Sequence, residues 1–220
     1  MDVAMARGDG TKLQCHQAGS GKAAVIVLHP WWGLNADVVR LADRLAGEGF
    51  TVMAPDLFNG QRAATPDEAE KLVQRFDSES ERLLADIERV AAYLRDQGAS
   101  KLGVLGLSFG AAYAVALAAK DGVDAGVDAV VLYYGTGWLE EEDRVTAPVL
   151  GHFADEDPYE PDGGEALFEQ LRDRGTSTEH YRYPGTYHWF VEPSDSHYNP
   201  EAAEMAFART RAFLNRHLAG

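Results

Sequence analysis

The chain has 220 residues, with 20 lysines and arginines against 35 aspartates and glutamates, giving a formal charge of −15 at pH 7. That balance argues against nucleic acid or an anionic membrane as a partner, because both are held through basic patches, and it would mildly repel strongly anionic substrates. The 45% hydrophobic content supplies one sizeable core. No linker composition divides the chain, so a single domain over residues 1–220 is predicted.

Met1 to Gly10 carries Asp2 and Asp9 and no apolar stretch, which predicts no secretion leader. No run of about eighteen apolar residues exists to cross a bilayer. Leu13 to Gln17 reads as a short strand holding Cys15, the one cysteine, which permits no internal disulfide and suits a reducing, cytoplasmic setting. Gly19-Ser20-Gly21-Lys22 has the flavour of a phosphate loop. However, His16 stands where the first glycine belongs and a strand follows instead of a helix, so a hairpin turn is predicted. Ala23 to Leu28 is a continuous apolar strand, and His29 to Leu34 a loop. Asn35 caps a helix whose Val38, Leu41, Ala42 and Leu45 share one face.

Phe50 to Ala54 is the next strand, stopped by Pro55-Asp56. A helical region runs from Pro66 to Gln97, broken near Asp77-Ser78, with Leu83, Leu84, Ile87, Val90, Ala91 and Leu94 in a 3.6-residue stripe. Strands follow at Lys101–Gly106, Ala129–Tyr134, Val149–Phe153 and Thr178–Tyr183. Between and after them come helices at Ala111–Ala119, Gly164–Arg174 and from Asn199-Pro200 onward, and an acidic loop from Gly135 to Arg144. Strands alternating with helices, and strands apolar along their length, predict an α/β fold with a mostly parallel sheet covered on both faces.

The chemistry centres on Gly106-Leu107-Ser108-Phe109-Gly110, where a buried-strand pattern turns directly into a small-residue helix. Strand, G-x-S-x-G, then helix is the nucleophile elbow, a sharp turn that lifts a serine hydroxyl above the end of a sheet. Phe109 then supplies one backbone N–H to an oxyanion hole at a helix N-terminus. A serine hydroxyl is a poor nucleophile until a base takes its proton, and that base needs a third group to orient it. On such a sheet the chain order is serine, acid, histidine.

That order disposes of most of the seven histidines. His16 and His29 precede the serine, His180 lies inside a strand, His217 sits near a helix C-terminus and His152 precedes the candidate acids. His188, directly after a strand, is the preferred base, with His197 second. The acid belongs to Ala154-Asp155-Glu156-Asp157, where spacing leaves Asp155 and Asp157 both open. No H-E-x-x-H, paired cysteines or i, i+4 histidine pair is present, so neither a metal nor another cofactor is predicted.

With those residues in place, the chain resembles the dienelactone hydrolase family of α/β-hydrolases over nearly its whole length. The marks are Trp32-Gly33-Leu34-Asn35, Pro55-Asp56-Leu57, the Ser108 elbow, Tyr133-Tyr134-Gly135 and Gly151-His152-Phe153. Asp157-Pro158-Tyr159 and Tyr183-Pro184-Gly185 before His188 complete them. The resemblance implies an α/β-hydrolase fold with no large lid domain, usually monomeric. It also implies Asp157 as the acid, with oxyanion N–H groups on Trp31 and Phe109.

Three positions depart from the family. Its typical nucleophile is cysteine, and here it is Ser108. The glutamate that keeps a resting thiol inert is replaced by Pro30. Glu192 stands where an arginine for the dienelactone carboxylate is expected, and a carboxylate there repels an anionic lactone. Trp31, Trp32, Phe58, Phe76, Tyr134 and Trp189 predict an aromatic-lined pocket. The expectation is a serine carboxylic ester hydrolase acting on small esters. The alternatives are a dienelactone hydrolase or lactonase, with serine standing in for cysteine, and a ligand-binding protein that has lost turnover.

Overall fold

A strand with no polar alternation has two faces to bury, and Ala23–Leu28 (β3) sits accordingly in the middle of the sheet. The computed structural model describes residues 2–120, 126–140 and 143–218. Strand β3 pairs in parallel with Thr51–Pro55 (β4) and Lys101–Leu107 (β5), and the parallel run continues through Ala129–Tyr133 (β6), Val149–Glu156 (β7) and Thr178–Tyr187 (β8). Two further strands, Asp2–Ala6 (β1) and Lys12–Ala18 (β2), add antiparallel at the β4 edge, giving the order β1-β2-β4-β3-β5-β6-β7-β8. This is the α/β-hydrolase arrangement, and no lid domain is present among the described residues.

The period of two along each strand divides the interior into two cores. Val25 and Val27 of β3 join Val38 and Leu45 of helix α1 (Ala36–Gly47) and Phe213 and Leu214 of α6 (Pro200–Leu218). Ala24, Ile26 and Leu28 face the opposite way, towards Ile87 of α3 (Ser80–Asp96), Ala114 of α4 (Phe109–Ala119) and Phe168 of α5 (Glu165–Asp173). Helix α2 (Pro66–Asp77) ends at the expected break before α3. Asn35 caps α1 by accepting the N–H groups of Asp37 and Val38, both at 3.0 Å.

Three local expectations change. The turn after β2 is not a hairpin, because β4 lies between β2 and β3 in the sheet. Strand β1 was not anticipated, since only Val3 and Met5 carry its apolar pattern and an edge strand needs little more. Strand β8 runs on through Pro184-Gly185 to Tyr187 rather than stopping at Tyr183, which brings His188 to its very end. Glu141 and Glu142 of the acidic loop lie outside the described residues. No helix among those described is long and apolar enough to cross a membrane.

Candidate active site

Ser108 stands between β5 and α4 with φ 48° and ψ −113°, a conformation unusual for a side chain larger than glycine. The turn closes only because its flanks lack side chains. A Cβ on Gly106 would come within 2.4 Å of the Gly110 carbonyl oxygen, and one on Gly110 within 2.5 Å of the Leu28 oxygen. Helix α4 is thereby held against the end of β3, beside the His29–Trp32 loop. Gly135, just beyond β6, is equally constrained. A Cβ there would lie 2.5 Å from the Ser108 carbonyl oxygen and 2.7 Å from its Cα, so the residues after β6 form a shelf under the serine.

The ends of β7 and β8 bring the other two side chains. Ser108 Oγ lies 2.9 Å from His188 Nε2. His188 Nδ1 lies 2.7 and 2.9 Å from the two Asp157 carboxylate oxygens. Asp157 also accepts the backbone N–H groups of Tyr159 and Glu160. Burial raises its proton affinity, but the His188 contact and those two donors outweigh it and hold the carboxyl below its ordinary value. With Asp157 ionised, the proton of His188 belongs on Nδ1, leaving Nε2 as an acceptor facing the serine hydroxyl.

The competing candidates are engaged elsewhere. Asp155 accepts the Gly185 N–H on the exposed side of β7 and faces Arg182. His197 is bonded to Asp195.

The loop after β3 is held by a histidine that the chain order sets aside. His29 is fully buried, its Nδ1 lying 2.7 Å from the Pro30 carbonyl oxygen while its Nε2 accepts the Leu57 N–H. Burial pushes its pKa down, so the ring is neutral and Nδ1 carries the donated proton. The Pro30 oxygen also accepts the Gly33 N–H at 3.1 Å. A trans peptide places its N–H opposite its C=O, so both bonds turn the Trp31 N–H away from them. The Phe109 N–H is at the first position of α4, where no intrahelical acceptor exists.

The aromatic residues separate into two groups. Trp31, Trp32 and Trp189 pack together, with ring centroids 5.3 to 5.8 Å apart. Half-exposed Tyr159 lies over this group, 4.9 Å from the His188 ring. Phe58, Phe76 and Tyr134 are buried rather than open to solvent. Phe58 stacks on Phe76 at 4.7 Å inside the core, and Tyr134 is wholly buried. Their apolar surface is satisfied by packing, which sequence alone could not distinguish from lining.

Tyr134 instead donates its hydroxyl to Glu192 Oε1 at 2.8 Å. Glu192 is 3% exposed and forms part of a polar cleft of about 260 Å³ with Trp32, Asn35, Ser194 and Asp195. Burial, with Asp37 and Asp195 nearby, pushes its carboxyl up to about 8 against the hydrogen bonds from Tyr134 and Asn35. The group is therefore mostly protonated at neutral pH. Among the described residues no cluster of histidines, cysteines or carboxylates has the grouping to hold a metal ion.

Comparison with known proteins follows the same lines. The model of the Dienelactone hydrolase family matches residues 13–218. The chain is 30% identical to an Azospirillum brasilense protein named "Putative carboxymethylenebutenolidase", over 99% of each chain. It is 29% identical to the Pseudomonas putida "Carboxymethylenebutenolidase", over 86% of this chain and 84% of that one. Among solved structures, the metagenomic "Dienelactone Hydrolase-like Promiscuous Phospotriesterase P91" superposes with a TM-score of 0.84 at 18% identity, covering 100% of this chain and 98% of that one. The chain belongs to the dienelactone hydrolase family and is, as a member of it, a hydrolase of the α/β-hydrolase superfamily.

Proposed function

We propose that the protein is a serine carboxylic ester hydrolase that cleaves small, uncharged or weakly polar esters through an acyl-enzyme. The observation carrying this reading is the unbroken line from Asp157 through His188 to Ser108 Oγ, at 2.7 and 2.9 Å. In it, Ser108 Oγ attacks the acyl carbon while His188 Nε2 takes the hydroxyl proton, and Asp157 stabilises the resulting imidazolium. The N–H groups of Trp31 and Phe109 receive the negative oxygen of the tetrahedral intermediate, each worth roughly 3 kcal/mol of barrier. The intermediate collapses as the carbon–alkoxide bond breaks, and His188 gives its proton to the leaving oxygen. Water then repeats the sequence, with His188 as its base, to release the acid and restore the serine.

The substrate class rests on Glu192 and on the net charge. A buried acid in the polar cleft, in a chain of charge −15, offers no cation to an anionic lactone. All three proposed catalytic side chains come from one chain, so a monomer suffices, and no step needs a cofactor. A cytoplasmic site of action belongs to the same reading.

A second reading, lactone hydrolysis, is favoured by the relatives named carboxymethylenebutenolidase. The two are separated by assaying p-nitrophenyl acetate beside a carboxylated dienelactone, with fluorophosphonate labelling mapped to Ser108. Ester turnover with labelling at Ser108 supports the esterase. A large preference for the dienelactone, raised further by Ser108→Cys, would move the assignment to the lactonase, and labelling elsewhere would remove Ser108 as nucleophile.

A further inference from the structure

Three contacts of Tyr134 bear on the site. Its backbone lies at φ 36°, pinned by donation of its N–H to the His152 carbonyl oxygen at 2.7 Å. The next residue, Gly135, is the shelf against the Ser108 backbone. Its ring meets the His188 ring edge-on, with centroids 4.9 Å apart. Its hydroxyl, at the far end, is donated to Glu192 at 2.8 Å. Glu192 lies on the short loop that carries His188, folded back by the bond from its N–H to the Trp189 carbonyl oxygen at 2.9 Å.

One side chain therefore ties the support of the serine to the loop bearing the base. Trp189 in that loop sits at φ 65°, a conformation that costs energy without glycine and needs external support.

We infer that Tyr134 and Glu192 form a positioning pair, whose hydrogen bond sets the approach of His188 Nε2 to Ser108 Oγ. Neither is a catalytic residue, since the pair acts through the imidazole. A hydroxyl–carboxyl bond suits this work because it is directional and buried. A misplacement of the base by a fraction of an ångström lowers turnover steeply while leaving ground-state binding nearly unchanged. The inference rests on the esterase reading, with Ser108 and His188 as nucleophile and base.

The test uses the full chain and two readouts. Steady-state kinetics on p-nitrophenyl acetate are measured for the wild type, Tyr134→Phe, Glu192→Ala, Glu192→Gln and the double variant Y134F/E192A. Proton NMR follows the low-field Nδ1–H resonance of His188, assigned by its absence in His188→Gln. Tyr134→Phe is expected to lower kcat about 10-fold with KM within about twofold, and to shift or broaden that resonance. Glu192→Ala should do the same, Glu192→Gln should recover most of the loss because its amide oxygen still accepts the bond, and the double variant should lose no more than either single one.

Unchanged kcat and an unmoved resonance in Tyr134→Phe would overturn the inference, whatever happens to its melting temperature. Should the wild type lack esterase activity, the proposed function fails instead, and the NMR comparison still decides the pair. If Glu192→Ala does not fold, Tyr134→Phe and Glu192→Gln carry the same test.

Discussion

His188 and His152 are buried to nearly the same degree, one just past the end of β8 and the other inside β7, both against aromatic rings and each with both ring nitrogens engaged. They differ in their partners. His152 lies between the Tyr183 hydroxyl at 2.8 Å and the Thr210 hydroxyl at 2.9 Å, groups that can donate or accept but carry no charge. Burial, with Arg209 nearby, pushes its pKa down to about 3, so it remains neutral and structural. His188 lies between a carboxylate held ionised by its own hydrogen bonds and a serine on a strained turn. Burial does not make a histidine a base. The proposed base differs in having a charge on one side and a movable proton on the other.

That contrast breaks first at the proposed catalytic groups. Ser108→Ala and His188→Ala should each lower ester turnover by more than about 10⁴-fold, with Ser108→Ala leaving the urea midpoint unchanged. Asp157→Asn should cost about 10³- to 10⁴-fold, because an amide favours the wrong imidazole tautomer and cannot stabilise the cation. Asp155→Asn, two residues earlier but facing solvent, should stay within about twofold, and a large loss there would reassign the acid.

His152→Ala should behave in the opposite way. It takes one buried partner each from Tyr183 and from Thr210, which keeps its bond to the Tyr133 hydroxyl, and opens a void, costing about 2–4 kcal/mol in urea unfolding. The kcat of the protein that remains folded should stay within about threefold. A collapse of kcat without loss of stability would show that His152 belongs to the chemistry after all.

Stability against pH sharpens the comparison further. His152 has a folded pKa far below that of the unfolded chain, so the stability of its neutral form is lost progressively as pH falls from about 6.5 towards about 3. Asp157, also depressed, adds to the acid loss. Glu192 is raised to about 8, so its contribution is fully present below the unfolded value near 4.5 and declines as pH rises towards 8. Glu192→Gln should therefore flatten the alkaline side of the stability profile, by a gain on the order of 3 kcal/mol at pH 8.5 over its effect at pH 5. An alkaline slope identical to that of the wild type would mean that the buried carboxyl is not titrating there.

Much of this was legible from the sequence. The apolar runs at Ala23–Leu28 and Lys101–Gly106, the capping Asn35 and the helix break near Asp77 were readable because propensity and periodicity act over neighbouring residues. The Ser108 elbow was legible for a similar reason, since its glycines and small-residue helix are contiguous. The order serine, acid, histidine then narrowed the candidate base to His188 and His197, with His188 preferred for its place directly after a strand, without any distance being known.

The sequence by itself could not choose between Asp155 and Asp157, give His29 a role, or separate aromatics that line a cleft from Phe58, Phe76 and Tyr134, which fill the interior. Those choices depend on contacts across 31 and 80 residues, from Asp157 to His188 and from Ser108 to His188. Only the strand order brings such partners to one edge of the sheet. Local periodicity carries no information on which of two nearby carboxylates the chain turns inward when β7 ends. The side chain that can shed water and find two backbone N–H donors is the one that folding buries.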